Sequence, residues 1–286
     1  MSHRAPLSSI FRPDLLAGKV AVITGGGTGI GAYIAHELGA LGAELVIASR
    51  KLDNITPAAE ALSDRLGREV LGLACDIRDR DATAALAAAT LERHGRIDIL
   101  INNGGGQFMS PAELIRPRGW DAVVDTNLTG TWNLTRAVAD AWMLKNGGRI
   151  INITMMTRRG FPGMAHSVSA RAGVEAMTRS LAVEWASHGV LINCVQPGII
   201  ASSGLKNYPN GAELAREMQA EIPLQRLGGC DDVAWMVAFL ASPAGRYITG
   251  EVLAVDGGRQ LWGKTWPVPS PEPLPEVALD GLPWEE

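Results

Sequence analysis

The segment Thr24-Gly25-Gly26-Gly27-Thr28-Gly29-Ile30-Gly31 follows the apolar run VAVIT (20–24) and leads straight into a helical pattern. Glycines at that spacing, between a strand and a helix, suit a phosphate-bearing ligand. Gly25 permits the tight turn, Gly29 lets backbone approach a pyrophosphate, and Gly31 lets the helix pack on the strand. The helix start adds unpaired N–H groups and the positive end of a dipole. Gly25, Thr28, Gly29, Ile30 and Gly31 are therefore read as the pyrophosphate site. The next apolar run, ELVIAS (44–49), ends in Ser49-Arg50-Lys51. An acid at this strand end would accept from a ribose 2′-hydroxyl, whereas two cations and a hydroxyl suit a 2′-phosphate. Together these residues point to a dinucleotide, and to NADPH over NADH.

Such a loop works only if a sheet holds it. Strand-like runs recur at VAVIT (20–24), ELVIAS (44–49), LGLAC (71–75), IDILIN (97–102), RIINIT (149–154), VLINCV (190–195) and VLAVD (252–256). They are continuous apolar runs, as strands covered on both faces require. Between them the patterns at Ile30–Leu41, Ala58–Leu66, Asp81–His94, Trp120–Leu144, Ala170–Ser187 and Asp231–Leu240 predict helices. Strand and helix alternating along the whole chain predicts an α/β fold: one Rossmann-type, doubly wound parallel sheet of about seven strands with helices on both faces. Residues 1–264 form one nucleotide-binding domain on this reading, with a substrate lid at 199–221 after a sheet's carboxyl edge. From 265 to 286 prolines recur too often for helix or central strand. That stretch is either a frayed tail or an extended arm that buries Trp266 and Trp284 on a neighbouring subunit.

Composition narrows the function classes. The chain has 286 residues, 47% of them hydrophobic and 20% charged, which is ordinary for a globular protein. A net charge of -4 gives no basic footprint for nucleic acid. No apolar run approaches the roughly 18–20 residues that cross a bilayer, and the N-terminal stretch lacks the apolar core of a secretory signal. Cys75, Cys194 and Cys230 are widely spaced and odd in number, which argues against a disulfide framework or a zinc site. Buried thiols in a reduced cytoplasm, with no metal, are the plain reading.

With these features in view, the chain from Thr24 to Gly258 resembles the short-chain dehydrogenase/reductase family. Thr24–Gly31 has that family's Thr-Gly-x-x-x-Gly-x-Gly spacing, and Asn102-Asn103-Gly104-Gly105 stands where Asn-Asn-Ala-Gly is usual. The resemblance implies that Asp76, with Ile77 beside it, reads the adenine and that Asn103 and Gly104 flank the ribose. It also implies that Asn127 is the helix Asn of the catalytic tetrad. Pro197, Gly198 and Ile200 would flank the nicotinamide carboxamide. At the catalytic centre the pattern breaks. Ser167 stands where the family has Tyr, Arg171 where it has Lys, and Thr154 where it has Ser. The chain's tyrosines, Tyr33, Tyr208 and Tyr247, lie elsewhere.

Serine is a far weaker acid than Tyr, and Arg stays protonated, so neither relays a proton. Losing a positioned general acid costs about 10²–10⁴-fold. Hydride addition to the C=C bond of an unsaturated thioester avoids most of that loss. It needs hydrogen-bond donors at the thioester oxygen, and the α-carbon can take its proton from water. Ser167, Thr154 and Gln107 are the candidate donors, and Arg171 keeps the ribose-binding half of the Lys role. Gly105-Gly106-Gln107-Phe108, Gly160-Phe161-Pro162 and Val255-Asp256-Gly257-Gly258-Arg259 are similar to the trans-2-enoyl-CoA and 2,4-dienoyl-CoA reductase branches, which use NADPH. Members of those branches carry a tyrosine elsewhere, and Met156 and Glu175 stand at the corresponding places. The resemblance further implies an acyl-CoA substrate and a homotetramer formed through the two long helices. The ending Trp284-Glu285-Glu286 is no peroxisomal signal, which favours a cytoplasmic protein.

Several readings stay open at this stage. Tyr208 is an apolar wall of the lid or the missing acid. Arg158 and Arg159 meet a CoA phosphate or only solvent, and His166 is a shuttle or a structural imidazole. A dehydrogenase of branched or terpenoid alcohols or aldehydes such as citronellol is the rival activity, though alcohol oxidation needs a base. A nucleotide-binding scaffold without turnover is the rival of a different class.

Overall fold

The computed structural model describes residues 11–202, 216–264, 266–270, 272 and 281–283. Seven strands form one sheet in the order β3-β2-β1-β4-β5-β6-β7. They are β1 (Val20–Thr24), β2 (Glu44–Ser49), β3 (Val70–Ala74), β4 (Ile99–Asn102), β5 (Gly148–Ile153), β6 (Val190–Pro197) and β7 (Val252–Val255). Every pairing is parallel. The strand order reverses between β1 and β4, and ligands of open α/β sheets bind at such a switch point, beyond the strands' carboxyl ends.

The main helices among the described residues are α1 (Gly29–Ala40), α2 (Leu52–Leu66), α3 (Arg80–His94), α4 (Pro117–Val124), α5 (Gly130–Val138), α6 (Leu144–Asn146), α7 (Ala165–Glu184) and α8 (Cys230–Ala241). α4, α5 and α6 form one rod, joined by wider π-type turns at Asp125–Thr129 and Ala139–Met143. Side chains alternate across each strand, so every strand feeds two cores. Ala21 and Ile23 of β1 pack with Ile34, Leu38, Leu62 and Val237 of α1, α2 and α8. Val22, between them, packs on the other face with Leu86, Leu134, Val138 and Leu181 of α3, α5 and α7. Both clusters are almost free of solvent, which is why the strands read as unbroken apolar runs. No described helix is long and apolar enough to cross a membrane.

Most element boundaries fall within three residues of the sequence reading, and two helix starts differ by more. α2 starts at Leu52, not Ala58, and carries Pro57 inside it. Pro57 is exposed near the helix start, so water can satisfy the carbonyl its missing N–H abandons. α7 starts at Ala165, not Ala170, so Ser167 and Arg171 lie on successive turns of one helix. A buried polar chain crosses the sheet beneath the site. Asn102 donates to Thr135 (2.9 Å) and Asn152 (2.8 Å), Asn152 donates to Thr178 (2.8 Å), and the Cys194 thiol reaches Thr178 (3.2 Å).

The loops after β1 and β4 are fastened to each other by one hydroxyl. Thr24 Oγ1 accepts from the backbone N–H of Asn103 (3.1 Å) and Gly104 (2.9 Å) and donates to the Ile101 carbonyl (3.3 Å). Asn103 Nδ2 donates back to the carbonyls of Thr24 (3.0 Å) and Gly25 (3.3 Å). Thr24→Val keeps the shape and strands two N–H donors. Unfolding in denaturant should show a loss of about 2 kcal/mol. A loss under about 0.5 kcal/mol, within the usual range of surface changes, would mean that other contacts hold the loops.

Candidate active site

At the switch point the chain reverses tightly. Gly25 and Gly29 have φ values of 65° and 49°, left-handed backbone that side chains disfavour. A Cβ on Gly31 would collide with the Gly25 carbonyl oxygen and with Asn103 Nδ2. Gly31 thus lets helix α1 close against the loop itself as well as against the strand. Thr28 is the N-cap but makes no side-chain cap bond, so the first N–H groups of α1 remain available to a ligand. The residues present suit the pyrophosphate of a dinucleotide.

Beside this loop lies a cavity of about 520 Å³ lined by Ser49, Arg50, Lys51, Ile77, Arg78 and the backbone of Gly104–Gly106, among others. Arg50 and Lys51 are exposed, and the Ser49 hydroxyl donates to the Lys51 carbonyl (2.9 Å). Arg78 was missed in the sequence. Its guanidinium grips Asp76 with three bonds, Nε to Oδ1 at 2.9 Å and to Oδ2 at 3.2 Å, and Nη2 to Oδ2 at 2.5 Å. That grip holds the Asp76 carboxyl below its usual range. Cys75, Ile77 and Arg78 line the cavity and Asp76 does not, so its contact with that space runs through Arg78. The only signal in sequence was Arg78's place two residues after the strand-end acid.

A second cavity, of about 680 Å³, opens on the other side of the Gly104–Gln107 loop. Ile30, Asn103, Thr154, Arg171, Pro197, Gly198 and Ile200 all line it, as does Gln107, which lines both cavities. The structure therefore brings the ends of β1, β4, β5 and β6 and helix α7 together. Asn127 is fully buried in the first π-type turn and does not line either cavity. Its carboxamide clamps Gly106 from both sides, Nδ2 to the carbonyl (2.9 Å) and Oδ1 from the N–H (3.0 Å). Arg171 Nη1 donates to the Ile153 carbonyl (2.8 Å), and the guanidinium lies where a Cβ of Gly105 would be. Burial lowers Arg171 to about 10, which leaves it charged at neutral pH.

Ser167 departs most from expectation. It is fully buried and does not line the cavity. Its hydroxyl donates to Gln107 Oε1 (2.8 Å) and touches Met155 Sδ (3.3 Å). Buried behind the cavity, Ser167 meets the substrate space through Gln107 and Met155, which both line it. Thr154 does line the cavity, and its hydroxyl reaches the Val195 carbonyl at 3.4 Å, a weak bond. Met156 lines it too. Glu175 does not: Thr157 (2.9 Å) and Gln196 (2.7 Å) hold its carboxylate, which burial pushes above its usual range. Burial likewise raises Cys75 to about 11 and Cys194 to about 12, so both stay protonated thiols. Of the segment 199–221, expected to be a lid, only 199–202 and 216–221 are described, and Tyr208 and Trp284 lie outside the described residues. Arg159 donates to the Trp262 carbonyl (2.5 Å), and Trp266 is 75% exposed.

Residues 25–260 match the family model described as enoyl-(acyl carrier protein) reductase. The chain belongs to the short-chain dehydrogenase/reductase family. It is 43% identical over 257 residues to a peroxisomal 2,4-dienoyl-CoA reductase ((3E)-enoyl-CoA-producing) of Danio rerio, covering 88% of this chain and 85% of that one. A probable 2,4-dienoyl-CoA reductase ((2E)-enoyl-CoA-producing) of Bacillus subtilis (strain 168) is 35% identical, covering 85% and 97%. Among solved structures, a citronellol catabolism dehydrogenase of Pseudomonas aeruginosa PAO1 superposes with a TM-score of 0.79 at 40% identity, covering 88% and 99%. This short-chain reductase is thus an oxidoreductase, and its family implies a nicotinamide cofactor.

One residue beside the site lacks any polar partner. His166 is fully buried, neither ring nitrogen has a hydrogen bond, and its ring meets Phe108 edge-on at 4.4 Å. A buried imidazole without partners is a net cost. His166→Leu should raise stability by about 1 kcal/mol, read from thermal unfolding. A lowered midpoint would show that the ring nitrogens are engaged in solution.

Proposed function

We propose that this oxidoreductase uses NADPH to reduce a C=C bond of trans-2-enoyl-CoA or 2,4-dienoyl-CoA thioesters. The observation that carries the reading is the donor set. The cavity is lined by an amide, Gln107, fixed by a buried serine, and by a guanidinium, Arg171, that stays charged at neutral pH, and among the described residues no tyrosine lines it. When bound, the cofactor supplies a hydride to an electrophilic carbon of the substrate.

The chain's own groups then have one task, to stabilise the oxygen of the thioester as it takes up negative charge. Ser167 donates to Gln107 Oε1, so the amide's Nε2–H₂ is the end left to donate into the cavity. The Thr154 hydroxyl is the second donor, and the Arg171 charge favours the anion. Water returns the proton to carbon, so no side chain need carry it. Asn127 acts by holding Gly106, and so the Gln107 loop, in place. The names of the dienoyl-CoA reductase relatives support this substrate class.

For the cofactor, Arg50, Lys51 and Arg78 around one cavity support recognition of a 2′-phosphate. The homotetramer is a family expectation, joined through the α4–α6 rod and α7. The cysteines among the buried residues support a reducing compartment, and we take it to be the cytoplasm, although several relatives are named for the peroxisome. A second reading, oxidation or reduction of a branched terpenoid, is favoured only by the likeness to the citronellol catabolism dehydrogenase. The absence of a base among the described lining residues weighs against it.

The reading is tested by following NADPH consumption with a panel of enoyl-CoA and dienoyl-CoA thioesters beside citronellal. Turnover of thioesters supports it; turnover of the aldehyde alone sinks it. Gln107→Ala should lower kcat/KM about 10²-fold. Ser167→Ala, acting through the amide, should cost about tenfold. If both variants match the parent, the donor assignment is wrong. For the cofactor, Arg50→Ala with Lys51→Ala should raise the NADPH KM about tenfold more than the NADH KM. Equal effects on both would refute the 2′-phosphate site.

A further inference from the structure

Methionine is unevenly spread in this chain. There are nine in the sequence, and Met109, Met155, Met156, Met164 and Met218 all line the 680 Å³ cavity. They come from three separate connections between strands and helices, Met218 from a helical stretch at 216–219. Met109 follows β4, Met155, Met156 and Met164 follow β5, and Met218 follows β6. Met156 and Met164 are buried, 5% and 4% exposed, while Met109 is 48% exposed at the mouth. Met218 packs against Met156 in one small apolar cluster with Phe161. The cavity is therefore walled by thioethers from its mouth to its buried end, and Arg171 is its one charged lining residue among those described.

Methionine is unbranched, has three rotatable bonds beyond Cα and is readily polarised, so it refits around different shapes at low cost. A rigid aliphatic wall behaves otherwise. One misplaced methyl in such a pocket changes discrimination by about 10–200-fold. Surfaces that accept varied partners use methionine for this reason.

We propose that these five methionines form an adaptable acyl subsite, and that the enzyme takes methyl-branched as well as straight-chain unsaturated acyl thioesters. The inference rests on the acyl-thioester reading above and extends it to the shape of the acyl chain. The polar donors at Gln107 and Thr154 fix the thioester end, and the thioether walls move to fit the remainder. Met156 and Met164, at the buried end, set how much branching is tolerated.

The test compares a straight trans-2-enoyl-CoA with an analogue of equal chain length carrying a methyl group two or more carbons beyond the double bond. Placed there, the methyl leaves the reacting carbons unchanged. Both kcat/KM and calorimetric affinity of the saturated counterparts are measured with the whole protein. For the parent enzyme, the two kcat/KM values should lie within about tenfold. Met156→Ile introduces a side chain stiff at χ1. It should lower the branched-to-straight ratio by at least about tenfold, and Met164→Ile likewise; Met156→Leu, close in volume, should change the ratio less. Discrimination by the parent above about a hundredfold, or an unchanged ratio in both Ile variants, overturns the proposal. Straight-chain turnover with rejection of branched chains sinks this inference alone. Absence of both turnover and binding for every thioester sinks the acyl-thioester reading as well.

Discussion

A single threonine hydroxyl ties together the two loops that the site is built from. Two parallel strands diverge at the switch point, and nothing in their ladder sets the distance between the loops that leave them. Thr24 Oγ1, with three hydrogen bonds, and the Asn103 amide, with two, set that distance. The glycine turn on one side and the Gly104–Gln107 segment on the other inherit their positions from this seam. Gly31 then fits α1 against the same seam, because any larger residue would push the helix off Gly25. The phosphate-facing and substrate-facing halves of the site are thus two sides of one polar joint.

A second layer of polar contacts holds the other loops to that joint. Asn127 anchors Gly106 from a widened helical turn, and Arg171 anchors the end of β5 while lying against Gly105. Where a tyrosine and lysine would handle a proton, this chain has a serine and an arginine that fix geometry and charge. An anchoring network with no acid among the described lining residues suits chemistry that asks the protein for hydrogen bonds at an oxygen.

Much of the fold was legible because each strand is buried on both faces and reads as an unbroken apolar run. The glycine loop was legible for the same local reason, since its φ values and close approaches leave few residue types possible. What escaped depended on long-range placement. Pro57 hid the first turns of α2, because its tolerance rests on exposure that sequence does not display. Arg78 looked like one cation among many until its bonds to Asp76 placed it at the cavity. Ser167 aligned with a catalytic position, yet helical phase buries its hydroxyl behind Gln107, and only the loop's path reveals that pairing. The chain from Thr135 through Asn102 and Asn152 to Thr178 joins residues far apart in sequence, so no spacing rule could find it.

The arginine of α7 carries a thermodynamic bias as well as a structural role. A buried guanidinium near pKa 10 keeps its charge throughout the neutral range. In a cavity of low polarity a fixed cation discriminates between two forms of a molecule that differ by one positive charge. The reduced nicotinamide ring is neutral and the oxidised ring is cationic. A lysine able to discharge could relax that difference, but this arginine holds it in place. A neutral ring would therefore be held more tightly there than a cationic one, a difference in affinity and not a direction of reaction.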